Sequence, residues 1–331
     1  MTNPTIGVVG AGAWGTALAQ ALASDGREVK LWALEDGLAD TINSTHRNEL
    51  YLPSAELAES IEATGDLSEM AACDMLLLVT PAQHMGSTLE KLGSFPRDLV
   101  LCSKGIEASS GRMMHDVAQD AAPDSDIAVL SGPTFAHEVA AGLPCAVTLA
   151  CGGGEAQWDR ISPAIARQNF RPYYSDDVVG AEVGGAVKNV LAIACGVVDG
   201  LGLGQNARNA LITRGFAEML RFGVSLGGKP ETLNGLCGLG DLVLTCSSTS
   251  SRNFSLGKSL GEGMSADEAL ADKRTVAEGA HTAPVLRDLA KKHGVQMPIT
   301  EAVNHLLDGR SARDVVAELL ARPLKAEGHT R

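Results

Sequence analysis

The chain has 331 residues, 45% of them apolar, and carries a formal net charge of −13 at pH 7. This length suits one large domain or two ordinary ones, and the apolar content is sufficient for a sizeable core. An acidic chain without a long block of like charge is a poor general binder of nucleic acid or of a membrane surface, so we expect neither partner.

The seven cysteines show neither a C-x-x-C pair nor a zinc-type spacing with histidine, so we predict no metal site. Four of them lie in apolar stretches, which is typical of reduced thiols in a cytoplasmic protein. The N-terminal "MTNPTIGVVG" lacks a basic region, so we expect no signal peptide. No run of about 18 uncharged apolar residues occurs, and we therefore predict a cytoplasmic protein without a membrane span.

Short apolar runs alternate with amphipathic stretches up to about residue 175. The runs that we predict as strands are TIGVVG, EVKLWAL, DMLLLVT, DLVLCSKG, DIAVLSG, CAVTLAC and FRPYYS. This alternation indicates βαβ units and a parallel sheet with right-handed crossovers. From residue 178 to residue 322 the pattern is that of successive helices, so we predict an α/β chain that changes class near residue 176.

A glycine-rich stretch follows the first predicted strand, with Gly10, Gly12 and Gly15 in a G-x-G-x-x-G pattern. Because it opens a predicted helix and leads to a second strand, it indicates a dinucleotide-binding turn. Gly10 would allow the turn, Gly12 the approach of a pyrophosphate, and Gly15 close packing of helix and strand. The alternative is an ordinary tight turn. The ring of Trp14 could cover the cofactor or could simply pack.

Polar groups also follow two later strands of the predicted sheet. Lys104 lies near the end of "LCSKG", and Gly132 and Thr134 follow "DIAVLS". Ligands of open α/β sheets lie at the carboxyl ends of the strands, so these residues are candidates for a substrate site.

Residues 184–198, "GGAVKNVLAIACGVV", have a helical rhythm and are almost entirely apolar, yet Lys188 lies in their middle. On a helical projection the residues near Lys188 are small, and the bulky residues lie opposite. The two glycines beside it, Gly184 and Gly185, each cost about 1 kcal/mol of helix stability relative to alanine, which is explicable if something must approach this face. We interpret Lys188 as a catalytic amine. It could instead be a surface lysine, or lie at the edge of a face that admits another helix.

Two features downstream could complete a site. Asp241 follows a glycine-rich turn, where its carboxylate could reach a nearby ammonium group. Ser251 could cap a helix that begins at Arg252, and a helix N-terminus with an arginine is a good phosphate site. The alternative is a serine-rich loop with an ordinary cap.

Together these stretches resemble bacterial NAD(P)-dependent glycerol-3-phosphate dehydrogenase, from Thr5 to Gly309. The matching motifs are GAGAWGTALA, SKG, SGPTFAHEVA, EVGGAVKNVLAIACGVVDGLGLGQNARNALITRG, GLCGLGDLVLTC, SSRN and VAEG. The resemblance implies a Rossmann-type NAD(P)-binding domain over residues 1–176 and an all-helical substrate domain over 177–331. It also implies reversible reduction of dihydroxyacetone phosphate to sn-glycerol 3-phosphate, the backbone of glycerophospholipids, with NAD or NADP as cofactor. It leaves a homodimer open.

By position, the resemblance assigns the catalytic lysine to Lys188. The substrate contacts that it implies are Lys104, Gly132, Thr134, Lys188, Asn189, Asp241, Ser251, Arg252 and Asn253. The cofactor contacts that it implies, beyond the three glycines of the turn, are Ala13, Trp14, Leu34, Glu35, Tyr51, Lys104, Ala136, Arg252, Val276 and Glu278.

The chain departs from the resemblance after the second strand, where the family commonly has an arginine and this chain has Leu34 followed by Glu35. A carboxylate facing the adenosine ribose accepts hydrogen bonds from its hydroxyls and repels a 2′-phosphate. We therefore predict a preference for NADH over NADPH. Glu35 could instead point to solvent, and Arg47 or Arg252 could supply positive charge, so dual use stays open.

In the implied reaction, hydride arriving at C2 leaves negative charge on the carbonyl oxygen, which a cation can stabilise and protonate. We hypothesise that Lys188 is this group, that burial and Lys104 lower its pKa, and that Asp241 orients the amine. A hydride enzyme acting on a hydroxyacyl thioester or a sugar acid is the nearest rival, but the Ser-Ser-Arg-Asn stretch favours a small phosphate. A dinucleotide-sensing regulator would need no lysine on a bare helix face.

Overall fold

The computed structural model describes residues 4–271 and 277–324. These divide into two compact units, of which the first takes in residues up to Lys104 and Arg112–Glu182. The second takes in Gly105–Gly111 and the described chain from Val183 onward. The exact position of the domain boundary, which we placed at residue 176, stays a prediction.

The first unit is built on one eight-stranded sheet. Its strands are β1 (Ile6–Val9), β2 (Val29–Trp32), β3 (Ile61–Thr64), β4 (Met75–Leu78), β5 (Asp98–Leu101), β6 (Asp126–Ser131), β7 (Cys145–Cys151) and β8 (Phe170–Ser175). They lie in the order β3-β2-β1-β4-β5-β6-β7-β8. Every residue of β1, β4 and β5 is buried, because helices cover both faces of a largely parallel sheet.

All seven predicted strands are present, and two features of the sheet differ from the prediction. The strand β3 has only four residues, one of them an exposed glutamate, and its sequence "IEAT" contains no apolar run that would reveal it. The strand β7 runs antiparallel to β6. The helix between them has five residues and rises about 7.5 Å, too little to carry the chain back along a six-residue strand of about 20 Å.

Helices connect the strands of the first unit. They are α1 (Ala13–Ala23), α2 (Leu38–Thr45), α3 (Ala82–Leu92), α4 (Met114–Ala121), α5 (Ala136–Ala140) and α6 (Gly154–Ile165), with a 3₁₀ helix over Leu67–Ala72. The buried face of α1 presents Leu18 and Leu22 to a core that includes Val8 and Leu31 of the sheet.

The second unit is helical, as predicted. Its helices are α7 (Val178–Gly200, whose first residues belong to the first unit), α8 (Gly204–Ser225), α9 (Pro230–Leu233), α10 (Asp241–Thr245), α11 (Arg252–Gly261), α12 (Ala266–Ala269), α13 (Glu278–Lys292), α14 (Pro298–Leu307) and α15 (Ala312–Leu320), with a π-helical turn over Leu236–Gly240. The predicted order of a Rossmann-type domain and a helical domain is therefore confirmed.

The helix α7 is long and apolar enough to cross a membrane, with a mean hydropathy of 1.5, but 89% of its most apolar stretch is buried inside the protein. The helix α7 is therefore a core helix of the protein. Glycines let α11 approach it closely. A Cβ atom added to Gly257 would lie 1.9 Å from the carbonyl oxygen of Ile193, and one added to Gly196 would lie 2.0 Å from that of Phe254.

Candidate active site

The glycine-rich turn links β1 to α1, and its three glycines differ in what surrounds them. Gly10 has a φ of 120°, which residues with a side chain rarely adopt. A Cβ atom added to Gly15 would lie 1.8 Å from the carbonyl oxygen of Gly10, so a side chain there is excluded. A Cβ atom added to Gly12 would meet no atom of the other described residues within 4 Å, its two chain neighbours apart. The turn is therefore tight against the protein at two glycines and open at the third.

Gly12 is also the N-cap residue of α1, and no side chain caps this helix. The first backbone N–H groups of an α-helix have no partner within the helix and carry the positive end of its dipole. Because the space around Gly12 is open, a phosphate group can approach these N–H groups.

Two strand ends of this sheet carry buried hydroxyl groups for which the described residues offer no hydrogen-bond partner. They are the Oγ1 atom of Thr80, just after β4, and the Oγ atom of Ser131, the last residue of β6. The indole Nε1 atom of Trp14 in α1 is unpartnered in the same way. An unpaired buried polar group costs about 1–3 kcal/mol. The strand order reverses between β1 and β4, where ligands of open α/β sheets bind, so the Thr80 and Trp14 groups fit a dinucleotide there.

The second strand ends near Glu35, whose side chain is half-buried and fixed. The Tyr51 hydroxyl donates a 2.5 Å hydrogen bond to its Oε1 atom. Glu35 therefore does not simply point to solvent. Leu34 is 70% exposed, and the Arg47 guanidinium lies 3.6 Å from the Glu56 carboxylate.

Three predicted substrate contacts of the first unit lie together. The Lys104 ammonium donates a 3.5 Å hydrogen bond to the carbonyl oxygen of Gly132, and the Thr134 hydroxyl donates one of 3.2 Å to the same oxygen. A Cβ atom added to Gly132 would lie 2.9 Å from the Val147 Cα atom, so the neighbouring strand β7 excludes a side chain there.

The remaining predicted cofactor contacts lie at the starts of helices. Ala13 is the first residue of α1, Ala136 the first of α5 and Glu278 the first of α13. Val276 lies outside the described residues.

Lys188 forms a buried ion pair with Asp241. The Lys188 Nζ atom lies 2.6 Å from the Asp241 Oδ1 atom, and the two side chains are 7% and 0% exposed. The same carboxylate oxygen accepts a 3.3 Å hydrogen bond from the Thr245 hydroxyl. A buried charge is costly unless it is paired, and the Asp241 carboxylate supplies that pairing. The contact that we hypothesised between Asp241 and the amine is thus present.

The small residues on the Lys188 face explain how Asp241 reaches the amine. A Cβ atom added to Gly184 of α7 would lie 2.3 Å from the carbonyl oxygen of Cys237 and 3.1 Å from the Gly238 Cα atom. The π-helical turn therefore packs its backbone directly on α7, and α10 begins immediately after it, at Asp241. At Gly184 the bare face admits another part of the chain, which was the alternative to a ligand.

Two buried cysteines lie near the pair. Cys195 of α7 and Cys246, just after α10, are both buried, and their thiols are hydrogen-bonded. Burial, with the neighbouring Cys195 thiol, raises the pKa of the Cys246 thiol well above its usual value. Such a thiol stays protonated at physiological pH and is inert.

The predicted phosphate site lies at the start of α11. The Ser251 side chain caps this helix by accepting a 3.3 Å hydrogen bond from the Phe254 N–H group, as its position predicted. Arg252, the first residue of the helix, is exposed. Asn253 is buried, and its Oδ1 atom accepts a 2.9 Å hydrogen bond from the Gly279 N–H group at the start of α13.

Asn189 belongs to the same packing. A Cβ atom added to Gly279 would lie 2.6 Å from the carbonyl oxygen of Asn189 and 2.8 Å from the Asn253 Oδ1 atom. The structure therefore brings α7, α11 and α13 together at these two predicted residues.

The sequence did not lead us to three buried polar residues near the candidate site, Thr80, Ser131 and Asn48. Thr80 and Ser131 carry a usable signal, because each is a hydroxyl at the end of an otherwise apolar strand. Asn48 lies between α2 and β3 in a stretch without periodicity and carries no such signal. Among the described residues, no group of three or more His, Cys, Asp and Glu side chains could hold a metal ion.

Two family models match the chain. The N-terminus model of NAD-dependent glycerol-3-phosphate dehydrogenase covers residues 5–157, and the C-terminus model of the same enzyme covers residues 177–318. Every predicted site residue lies within one of these two ranges.

Two relatives match over nearly the full length of the chain. The chain is 69% identical to the glycerol-3-phosphate dehydrogenase [NAD(P)+] of Erythrobacter litoralis over 322 residues, which are 97% of either chain. It is 70% identical to that of Novosphingobium aromaticivorans over 323 residues, which are 97% of this chain and 98% of the relative.

A solved structure agrees with both findings. The crystal structure of glycerol-3-phosphate dehydrogenase from Coxiella burnetii is 39% identical in sequence and superposes with a TM-score of 0.91, covering 97% of this chain and 99% of that one. The chain belongs to the NAD-dependent glycerol-3-phosphate dehydrogenase family, whose members are oxidoreductases acting on a CH–OH group with NAD or NADP.

Proposed function

We propose that the chain catalyses the reversible reduction of dihydroxyacetone phosphate to sn-glycerol 3-phosphate with NADH or NADPH. The observation that supports this most directly is the buried pair of Lys188 and Asp241, held 2.6 Å apart in a chain of this family. A buried amine with an orienting carboxylate suits proton transfer to and from a carbonyl oxygen.

Lys188 is the catalytic residue in this proposal. When bound, the nicotinamide supplies the hydride that adds to C2 of the substrate. The Lys188 ammonium stabilises the negative charge that develops on the carbonyl oxygen and donates a proton to it. In the reverse direction the amine accepts that proton from the hydroxyl group. Asp241 holds the amine in place in both directions.

The phosphate of the substrate is the binding group that we assign to Arg252 and the N-terminus of α11. Arg252 is exposed at the first position of a capped helix, where free N–H groups and a guanidinium can face one anion. The other substrate contacts in the proposal are Lys104, Gly132, Thr134, Asn189, Asp241, Ser251 and Asn253.

The proposal also assigns a set of residues to the cofactor. They are Gly10, Gly12, Ala13, Trp14, Gly15, Leu34, Glu35, Lys104, Ala136, Arg252, Val276 and Glu278, and Tyr51 belongs to the same site through its hydrogen bond to Glu35. The half-buried Glu35 carboxylate and the apolar Leu34 beside it favour a ribose with free hydroxyls over one with a 2′-phosphate. We therefore expect kcat/KM to be higher for NADH than for NADPH. A value for NADPH at least equal to that for NADH, at one pH and salt concentration, would contradict this preference.

The reaction is tested by following the absorbance of the reduced nicotinamide after addition of dihydroxyacetone phosphate. We expect rapid oxidation with this substrate and weak oxidation with dihydroxyacetone, which lacks the phosphate. Absence of oxidation with either coenzyme would refute the proposed function.

Arg252→Ala tests the phosphate assignment. Because a charge-assisted hydrogen bond contributes about 1.5–3 kcal/mol, the KM for dihydroxyacetone phosphate should rise about ten- to a hundredfold. Kinetics with dihydroxyacetone are the control and should hardly change. Equal losses with both substrates would show that Arg252 serves the fold or the cofactor instead.

Further parts of the proposal concern the cell. We propose that the product supplies the backbone of glycerophospholipids and that the enzyme works in the cytoplasm, which suits seven cysteines that are all free thiols. A homodimer, the commonest symmetric assembly, is the oligomeric state that we propose, and light scattering of the purified protein tests it.

A further inference from the structure

The segment between α2 and β3 is fixed to the glycine-rich turn by Asn48, a completely buried side chain. Its Nδ2 group donates 2.8 Å hydrogen bonds to the carbonyl oxygen of Ala11 and to the Thr16 hydroxyl. Its Oδ1 atom accepts a 3.2 Å hydrogen bond from the Tyr51 N–H group. A carbonyl oxygen can only accept, so the amide orientation follows from the network, and both of its donors are used.

Tyr51 extends this network to the end of the second strand. Its hydroxyl donates the 2.5 Å hydrogen bond to Glu35, because an ionised carboxylate can only accept. The bond uses one of the roughly four acceptor positions of the carboxylate and leaves the others for ribose hydroxyls. An unbroken series of contacts thus joins the turn at Ala11 to the carboxylate, through Asn48 and Tyr51.

The backbone of this segment is also held at both of its ends. His46, the only described residue other than glycine with a positive φ, closes α2 in a left-handed conformation. Its carbonyl oxygen accepts a 2.8 Å hydrogen bond from the Leu57 N–H group, and that of Asn48 accepts one of 2.8 Å from Leu52. Tyr51 is therefore carried on a rigid segment, and its hydroxyl has a defined position.

We propose that Tyr51 is a positioning residue for coenzyme selection, which acts through Glu35 by holding the carboxylate where it accepts a hydrogen bond from the 2′-hydroxyl of the adenosine ribose. The inference rests on the proposed function, since it names the residue that makes Glu35 selective. A glutamate side chain loses considerable rotamer freedom when it is fixed in one geometry. A carboxylate already held by Tyr51 has lost that freedom before the coenzyme arrives.

The test is Tyr51→Phe, which removes only the hydroxyl. Loss of one hydrogen bond that orders the carboxylate should lower kcat/KM for NADH about three- to tenfold, through KM, with kcat nearly unchanged. With an NADH analogue that lacks the 2′-hydroxyl of the adenosine ribose, the variant and the unmodified enzyme should have equal kcat/KM. Activity with NADPH should not fall. An equal loss with NADH and with the 2′-deoxy analogue would overturn the proposal, because Tyr51 would then support the fold or contact the coenzyme directly.

A double-mutant cycle separates action through Glu35 from independent action. In a Glu35→Ala background, Tyr51→Phe should cause no further loss with NADH. If the loss in the double variant equals the sum of the losses in the two single variants, the proposal is overturned. Tyr173→Phe is the matched control, since it makes the same change on an exposed tyrosine of β8, and it should alter none of these values.

Failure of the proposed function has a different signature. In that case the unmodified enzyme would not oxidise either coenzyme with dihydroxyacetone phosphate. Direct titration of NADH and its 2′-deoxy analogue, read from coenzyme fluorescence, would still test Tyr51. A loss of NADH affinity in Tyr51→Phe, without a loss for the analogue, would support the positioning role under either outcome.

Discussion

Two glycine-rich regions of this chain use glycine for opposite purposes. At the turn after β1, the space beside Gly12 is open: apart from its two chain neighbours, no described residue has an atom within 4 Å of an added Cβ. On α7, the space beside Gly184 is filled by the backbone of the chain itself, since an added Cβ would lie 2.3 Å from the Cys237 carbonyl oxygen. The first region leaves room for a ligand, and the second uses its room to bring Asp241 to Lys188. A glycine therefore signals a close approach without saying what approaches.

The largest effect should come from removing the group that the second region serves. Lys188→Ala deletes the proposed proton donor, and turnover should fall about a hundredfold or more, with NADH binding nearly intact. Steady-state kinetics and fluorescence titration of NADH measure the two quantities. Near-normal turnover would show that the pair of Lys188 and Asp241 has only a structural role.

Gly184→Ala tests whether the filled glycine region positions the pair. Because the new methyl group must displace the backbone at Cys237, we expect a loss of about 1–3 kcal/mol in the free energy of unfolding. Displacement of Asp241 should also lower kcat, while the KM for NADH stays the same. Thermal unfolding and kinetics measure this. A variant with unchanged stability and unchanged kcat would remove the contrast between the two regions.

Gly12→Ala is the matched change in the open region and should have the smaller effect on the protein. The φ of −64° and ψ of 178° suit alanine, and no protein atom is displaced, so stability should stay equal or rise by about 0.4–1 kcal/mol. The methyl group would occupy the space that we assign to the pyrophosphate, so the KM for NADH should rise about tenfold, the equivalent of about 1.4 kcal/mol. A fall in stability with unchanged KM would show that this glycine, too, serves only packing.

Much of the fold was readable from residue order, because local patterns carry it. Alternating apolar runs and helical stretches predicted seven of the eight strands, the Rossmann-type arrangement and the change to helices. The strand β3 was missed because it depends on pairing with β2 rather than on its own four residues. The antiparallel direction of β7 was missed because strand direction depends on the path of the connection, which apolar periodicity does not record.

The site shows the same division. Residue types and spacing alone determined the dinucleotide turn, the cap at Ser251 and the candidacy of Lys188, since each depends on neighbours within a turn or two of chain. Tertiary structure decided that the glycine face of α7 admits the turn before Asp241, 53 residues after Lys188 in the chain numbering. It also decided that Tyr51, reached through the buried Asn48, holds Glu35. Both depend on contacts between segments that are far apart in sequence, and such contacts arise only when the chain is folded and buried polar groups must find partners.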